Sequence, residues 1–130
     1  MNYLIDCIQD YLTQGGIFLS TGKKWLCDKE LWIDSGVKTD RTIVIQSRGG
    51  TAISKGLGND HYYSIFVVSR ADVKSGLTEA RLKANEIVDY IRNSPYHAGL
   101  GTVQVQAPLS APMQTKEQRV VFEIMIRCVK

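Results

Sequence analysis

The residues from His61 to Asn93 constrain this chain most, because a long apolar strand there runs straight into an amphipathic helix. His61-Tyr62-Tyr63-Ser64-Ile65-Phe66-Val67-Val68-Ser69-Arg70 is rich in β-branched and aromatic residues. It has too many consecutive apolar positions for a strand with one face in water, so it belongs in the middle of a sheet. Ala71 to Gly76 read as a polar turn, and Thr78 followed by Glu79 supplies an N-cap and an acidic first turn. Ala80, Ala84, Ile87, Val88 and Ile91 then recur at helical spacing, which assigns Arg81, Lys83, Asn85, Glu86 and Asp89 to the opposite face. One side of this helix needs a sheet to cover, and nothing in the stretch signals catalysis.

Upstream, Leu4, Ile8, Tyr11 and Leu12 fall on one helical stripe, and Gly15-Gly16 stops the pattern where a C-cap is expected. Ile17 to Ser20 suits a brief strand. Lys23 to Ile33 mixes Trp25, Leu26, Leu31 and Trp32 with charges in no clean period. After the Asp34-Ser35-Gly36 turn signal, Thr42 to Gln46 is a second firm strand. Downstream, Asn93-Ser94-Pro95 ends the helix and Tyr96 to Gly101 form a loop. Thr102 to Ala107 alternates with period two, and Pro108 and Pro112 make the following connection irregular. Val120 to Val129 is a long terminal strand whose core face is Val120, Phe122, Ile124, Ile126 and Cys128. Strands interrupted by one long helix imply an α+β fold: a single, mainly antiparallel sheet with an N-terminal helix and one long helix between strands.

Length and composition narrow the function classes. A chain of 130 residues is expected to form one domain, residues 1–130, with a single core. Lys and Arg are interleaved with Asp and Glu, and the net charge of +3 describes an ordinary solvated surface better than a duplex-binding stripe. Cys7, Cys27 and Cys128 are far apart with no CxxC pair, so they suggest neither a disulfide framework nor a zinc site, and a reducing compartment fits them best. No apolar stretch approaches the roughly 20 residues of a membrane span, and no signal peptide is recognisable, so a soluble protein is expected.

Catalytic and cofactor motifs fail on geometry. Between Gly50 and Gly56, Lys55 precedes the second glycine and a strand follows, whereas a phosphate-binding loop needs Gly-Lys-Ser/Thr opening a helix. Gly56-Leu57-Gly58-Asn59-Asp60-His61 lacks the last glycine of a dinucleotide fingerprint. His61 and His97 lack a nucleophile motif or metal-ligand spacing, so a small hydrolase around either has the least support. No catalytic, cofactor-binding or metal residue is assigned. Trp25 with Lys23, Lys24, Arg48 and Lys55 offers an alternative, a platform for nucleic acid. Trp25 and Trp32 are also candidate interface anchors.

The segment from Ser47 to Asp60 is too long for a hairpin turn, which normally takes two to five residues. Its glycines widen the backbone's choices, and Arg48 and Lys55 give it positive charge. Arg48, Gly49, Gly50, Thr51, Lys55, Gly56, Gly58 and Asn59 are therefore candidate partner-binding residues, a ribbon that folds against another protein.

The order of elements, the Gly49-Gly50 start of the long loop and the Arg119-Val120-Val121-Phe122 lead into the last strand resemble the tail terminator (tail completion, or minor tail) proteins of long-tailed bacteriophages. The resemblance covers nearly the whole chain. It implies a structural virion protein and not an enzyme: a ring, typically of six subunits, that caps the finished tail tube, stops its polymerisation and offers a surface for head or neck joining. It implies as partners other copies of itself, the tail tube protein and a head-completion or neck protein, with DNA passing through the channel without specific binding, no membrane and no cofactor. It places the protein in the virion, at the head-proximal end of the tail, after assembly in the host cytoplasm. A head–tail connector component is a near variant, and a nucleic-acid-binding module is the alternative from a different class.

Overall fold

The computed structural model describes residues 3–19, 24–48 and 60–129. The first helix, α1 (Tyr3–Gln14), buries Ile5, Ile8, Tyr11 and Leu12. It ends as the sequence demands. Gly16 adopts φ 69°, Ile17 N–H donates to Leu12 O and Gly16 N–H to Thr13 O, which together satisfy carbonyls that the last turn leaves open. Residues 15–19 form turns rather than the brief strand expected from Ile17, because the chain is still closing off the helix there.

Two firm strands follow the short β1 (Leu26–Lys29): β2 (Thr42–Ser47) and β3 (Asp60–Val68). The second helix, α2, runs from Val73 to Asn93. After it come β4 (Tyr96–His97), β5 (Gly101–Val105), β6 (Met113–Gln114) and β7 (Val120–Val129). Among the described residues these make one seven-stranded sheet of order β1-β2-β3-β7-β5-β4, with β6 beside the start of β7. All pairings are antiparallel except β1 with β2, which run parallel. The fold is α+β with a mainly antiparallel sheet. β3 lies between β2 and β7, the central place that its composition requires.

Both helices cover the same sheet face. α1 and α2 share one core with Ile43 and Ile45 of β2, Ile65 and Val67 of β3, Val103 of β5 and the even-numbered residues of β7. Burying each aliphatic side chain such as Ile87 or Ile91 contributes on the order of 1.5–3 kcal/mol. The alternation of β7 holds along its whole length: Val120, Phe122, Ile124, Ile126 and Cys128 are buried and their neighbours only partly so.

Three further expectations need correction. α2 begins at Val73, with Asp72 as its N-cap residue, and so absorbs most of the supposed 71–76 turn. Gly76 is tolerated inside the helix because the helix packs so closely there that a Cβ would lie 2.6 Å from Ser69 Oγ. Lys83 belongs to the core side and is 3% exposed. Part of the loop expected from Tyr96 is instead the short hairpin strand β4, which pairs Tyr96 with Thr102 and His97 with Gly101.

Candidate functional site

Parallel neighbours cannot be joined by a tight hairpin, so the chain between β1 and β2 must cross a sheet face. It crosses the face opposite the helices. Glu30 starts the crossing at φ 68°, a left-handed conformation that few non-glycine residues adopt. Its carboxylate compensates locally, since Glu30 Oε1 accepts from both the backbone N–H (3.0 Å) and the hydroxyl (2.6 Å) of Ser47.

The far end of the crossing is anchored by Arg119, only 2% exposed. Its Nε and Nη2 donate to the two carboxylate oxygens of Asp34 at 2.8 and 3.2 Å. Nη2 also donates to Val37 O at 2.7 Å, and Nη1 to Asp40 O at 2.6 Å and Ser69 O at 3.0 Å. Every guanidinium donor is engaged, which offsets the cost of burying the charge. The Gly36 backbone N–H and then Arg119 hold the Asp34 carboxyl below its ordinary range.

The anchored segment presents apolar side chains to solvent. Trp32 is half-buried and lines an apolar cleft of about 300 Å³ with Leu31, Val44, Phe66, Val68 and Val121. Leu31 and Ile33 on either side of it are 70% and 74% exposed. Exposed apolar groups gathered in this way mark an interaction surface more often than a catalytic one.

The other sequence candidates separate. Trp25 is 4% exposed, with Lys83 Nζ 5.4 Å from its ring centroid. It is a core residue, so its ring offers neither an exposed anchor nor a platform on which a base can stack. Lys83 Nζ donates to Ile17 O at 2.7 Å and to Glu86 Oε1 at 3.1 Å, which ties α2 to the end of α1. Arg48 is exposed, and its backbone N–H donates to Tyr62 O. Gly49, Gly50, Thr51, Lys55, Gly56, Gly58 and Asn59, like Lys23, lie outside the described residues. His61 is paired with Cys128 across β3 and β7. His97 Nε2 lies 2.8 Å from Asp10 Oδ2, and its Nδ1 accepts from Gly99 N–H, which fixes the hairpin turn against α1. The two histidines are in separate places. Among the described residues no group of three or more potential metal ligands forms, and no helix is long and apolar enough to cross a membrane.

Comparison with known proteins decides what such a framework belongs to. The profile of the phage tail termination protein family matches residues 1–130. The chain belongs to the phage tail termination protein family. It is therefore a structural protein associated with the phage tail, and this family is not an enzyme class. The fold is similar to that of a chain in the virion of a native gene transfer agent particle, at 13% identity and a TM-score of 0.65, covering 97% of this chain and 92% of that one. A second solved protein is similar at 14% identity and a TM-score of 0.57, covering 96% and 94%. No curated protein sequence matches.

Two residues that organise this tail protein were misread or unassigned from sequence. Lys83 stands three residues after Ala80 and four before Ile87, squarely on the buried stripe, so its position was readable while its charge argued the other way. Arg119 gave no local sign, because four of its five bonds reach residues 79 to 85 positions away.

Proposed function

We propose that this chain closes the tail tube: copies of it form a ring, six as the family resemblance implies, that caps the tube, stops its polymerisation and presents a surface to the head or neck. The observation that carries the reading is family membership along the full sequence. The 130 residues act as one tail-terminator-like domain, placed at the head-proximal end of the tail after assembly in the host cytoplasm. The partners are other copies of the chain, the tail tube protein and a head-completion or neck protein, while DNA passes through the channel without specific binding.

The fold supports the reading in two ways. β1 and β4 bound the sheet on opposite sides, so head-to-tail contacts join unlike surfaces, the arrangement that gives a closed ring when the rotation closes. Apolar Leu31, Trp32 and Ile33 stand on an anchored segment, and obligate contacts between subunits need such groups. Arg48, Gly49, Gly50, Thr51, Lys55, Gly56, Gly58 and Asn59 engage the tube or a neighbouring subunit, and Trp32 is the interface anchor of the two tryptophans.

The test is growth of tail tubes from purified tube protein, with this protein added midway. Elongation halts at amounts far below the tube subunits if it caps ends. Unchanged elongation at equimolar protein contradicts the reading.

A further inference from the structure

His97 holds the turn of the outermost hairpin with its side chain as well as its backbone. β4 lies at the end of the sheet and pairs with β5 through Tyr96 and His97 only. The turn between them closes on two bonds, and both end on His97. Leu100 N–H donates to His97 O at 3.0 Å, and Gly99 N–H donates to His97 Nδ1 at 2.9 Å. The turn is also pressed on α1. A Cβ on Gly99 would lie 2.6 Å from Cys7 Sγ and 3.3 Å from His97 Nδ1, so backbone, thiol and imidazole are in close contact. Leu100 beside them is buried in the core.

A backbone N–H can only donate, so Nδ1 must offer a lone pair. The proton of the neutral ring is therefore on Nε2, which donates it to Asp10 Oδ2 at 2.8 Å. Gln14 Nε2 donates to the same oxygen at 3.0 Å and steadies the carboxylate. The imidazole side chain is 11% exposed, and Tyr11 meets it edge to face with 6.0 Å between ring centroids.

The surroundings decide what a second proton does. Facing the ring are Asp10, Tyr11 and Cys7 of α1; Tyr90 of α2 packs on Tyr11, and Cys128 of β7 lies close to it. Burial and then Tyr90 push the Tyr11 hydroxyl up, burial and then Asp10 push Tyr90 up, and burial pushes the Cys128 thiol up to about 12. Asp10 is the only carboxylate among them, and it faces Nε2. A proton added to the imidazole goes to Nδ1, where it meets the N–H of Gly99. The carboxylate contact survives that proton and the Gly99 bond does not, because two donors would then face each other.

We propose that His97 is an acid-sensitive latch: neutral, it closes the β4–β5 turn through Gly99, and protonated, it releases Gly99 while staying paired with Asp10. Histidine is the side chain that changes charge between about pH 5 and pH 8. The bond needs the neutral ring, so the turn is closed at the upper end of that range and opens as pH falls. What opens is the outer end of the sheet, next to the exposed ring of Tyr96.

The latch is tested by NMR of the full, 15N-labelled chain from about pH 8 to pH 5, the range in which histidine titrates. At the upper end the His97 ring should carry its proton on Nε2. As the ring titrates, the Gly99 amide should shift with the same midpoint, and its protection against exchange should fall roughly tenfold or more, as in a local opening. His97→Asn gives the contrast. Its side-chain oxygen accepts an N–H two residues on, as in an Asx turn, and takes up no proton in this range, so Gly99 protection should lose its pH dependence. Asp10→Asn removes the charge that favours the imidazolium, and the opening should move to lower pH. A Gly99 amide unmoved while His97 titrates overturns the latch, as does a proton on Nδ1 at pH 8 or a pH dependence that persists in His97→Asn. An opening that Asp10→Asn leaves in place overturns the pairing at Nε2. Should His97→Asn fail to fold, the wild-type titration decides alone.

Discussion

Arg119 grips Asp34 across the start of the sheet through two hydrogen bonds of 2.8 and 3.2 Å, and thereby fixes the segment that carries Leu31, Trp32 and Ile33. Replacing Arg119 by Ala removes five hydrogen bonds and leaves Asp34 and three carbonyls short of donors. Loss of one partner of a buried pair costs about 3–5 kcal/mol. Urea denaturation should show that loss. Arg119→Lys should recover only part of it, because an ammonium cannot form the fork.

The same pair sets an acid limit. The Asp34 carboxyl is held below its ordinary value in the folded state, so its stabilisation is complete above about pH 4, the unfolded value, and fades as pH falls through the folded value. Stability measured from pH 6 to pH 2 should therefore decline more steeply in wild type than in Asp34→Asn. At neutral pH that variant should be weaker by about 1.5–3 kcal/mol, the worth of hydrogen bonds to a charged group.

Gly76 reverses the usual sign of a helical glycine substitution. Alanine in a helix interior normally gains about 1 kcal/mol over glycine. Here the new Cβ would lie 2.6 Å from Ser69 Oγ and 3.1 Å from Arg70 O, and Ser69 Oγ accepts the buried Val120 N–H. Overpacking of this kind costs about 1–3 kcal/mol. Gly76→Ala should lower the thermal midpoint, and the same substitution should cost less in a Ser69→Ala background, where the crowding hydroxyl is already gone.

Lys83 holds the end of α1 through Ile17 O while its ammonium sits over Trp25. Lys83→Ala leaves that carbonyl without its donor, a loss of about 1–3 kcal/mol. The emission of Trp25, read in a Trp32→Phe background, should move to the red. An unchanged spectrum would show that the ring does not sense this contact.

Thiol chemistry should be slow in the folded protein. Burial pushes the Cys27 thiol up to about 11 and the Cys128 thiol up to about 12. At pH 8 roughly one Cys27 in a thousand is then thiolate, the reactive form. Iodoacetamide followed by mass spectrometry should label Cys27 and Cys128 only as the chain unfolds in denaturant.

The sequence revealed most where a period repeats. β7 alternates over its full length, α1 ends at a glycine pair, and β3 is apolar on both faces, so sheet, helices and core face were all legible. It revealed least where one long-range bond decides. The parallel β1–β2 pair depends on a crossing held by Arg119, whose bonds span most of the chain. The early start of α2 depends on a glycine whose fit is set by Ser69. Trp25 and Trp32 looked alike in sequence; one is packed in the core beneath Lys83 and the crossing holds the other at the surface.

The proposed capping role requires the protein to sit at one place, the head-proximal end of the tail. The direct measurement is electron microscopy of assembled tails carrying the protein labelled at an exposed position such as Leu82, 65% exposed. One cluster of label at a single, head-proximal end of each tail is predicted. Label spread along the tube, or tails of normal length that carry none, would contradict it.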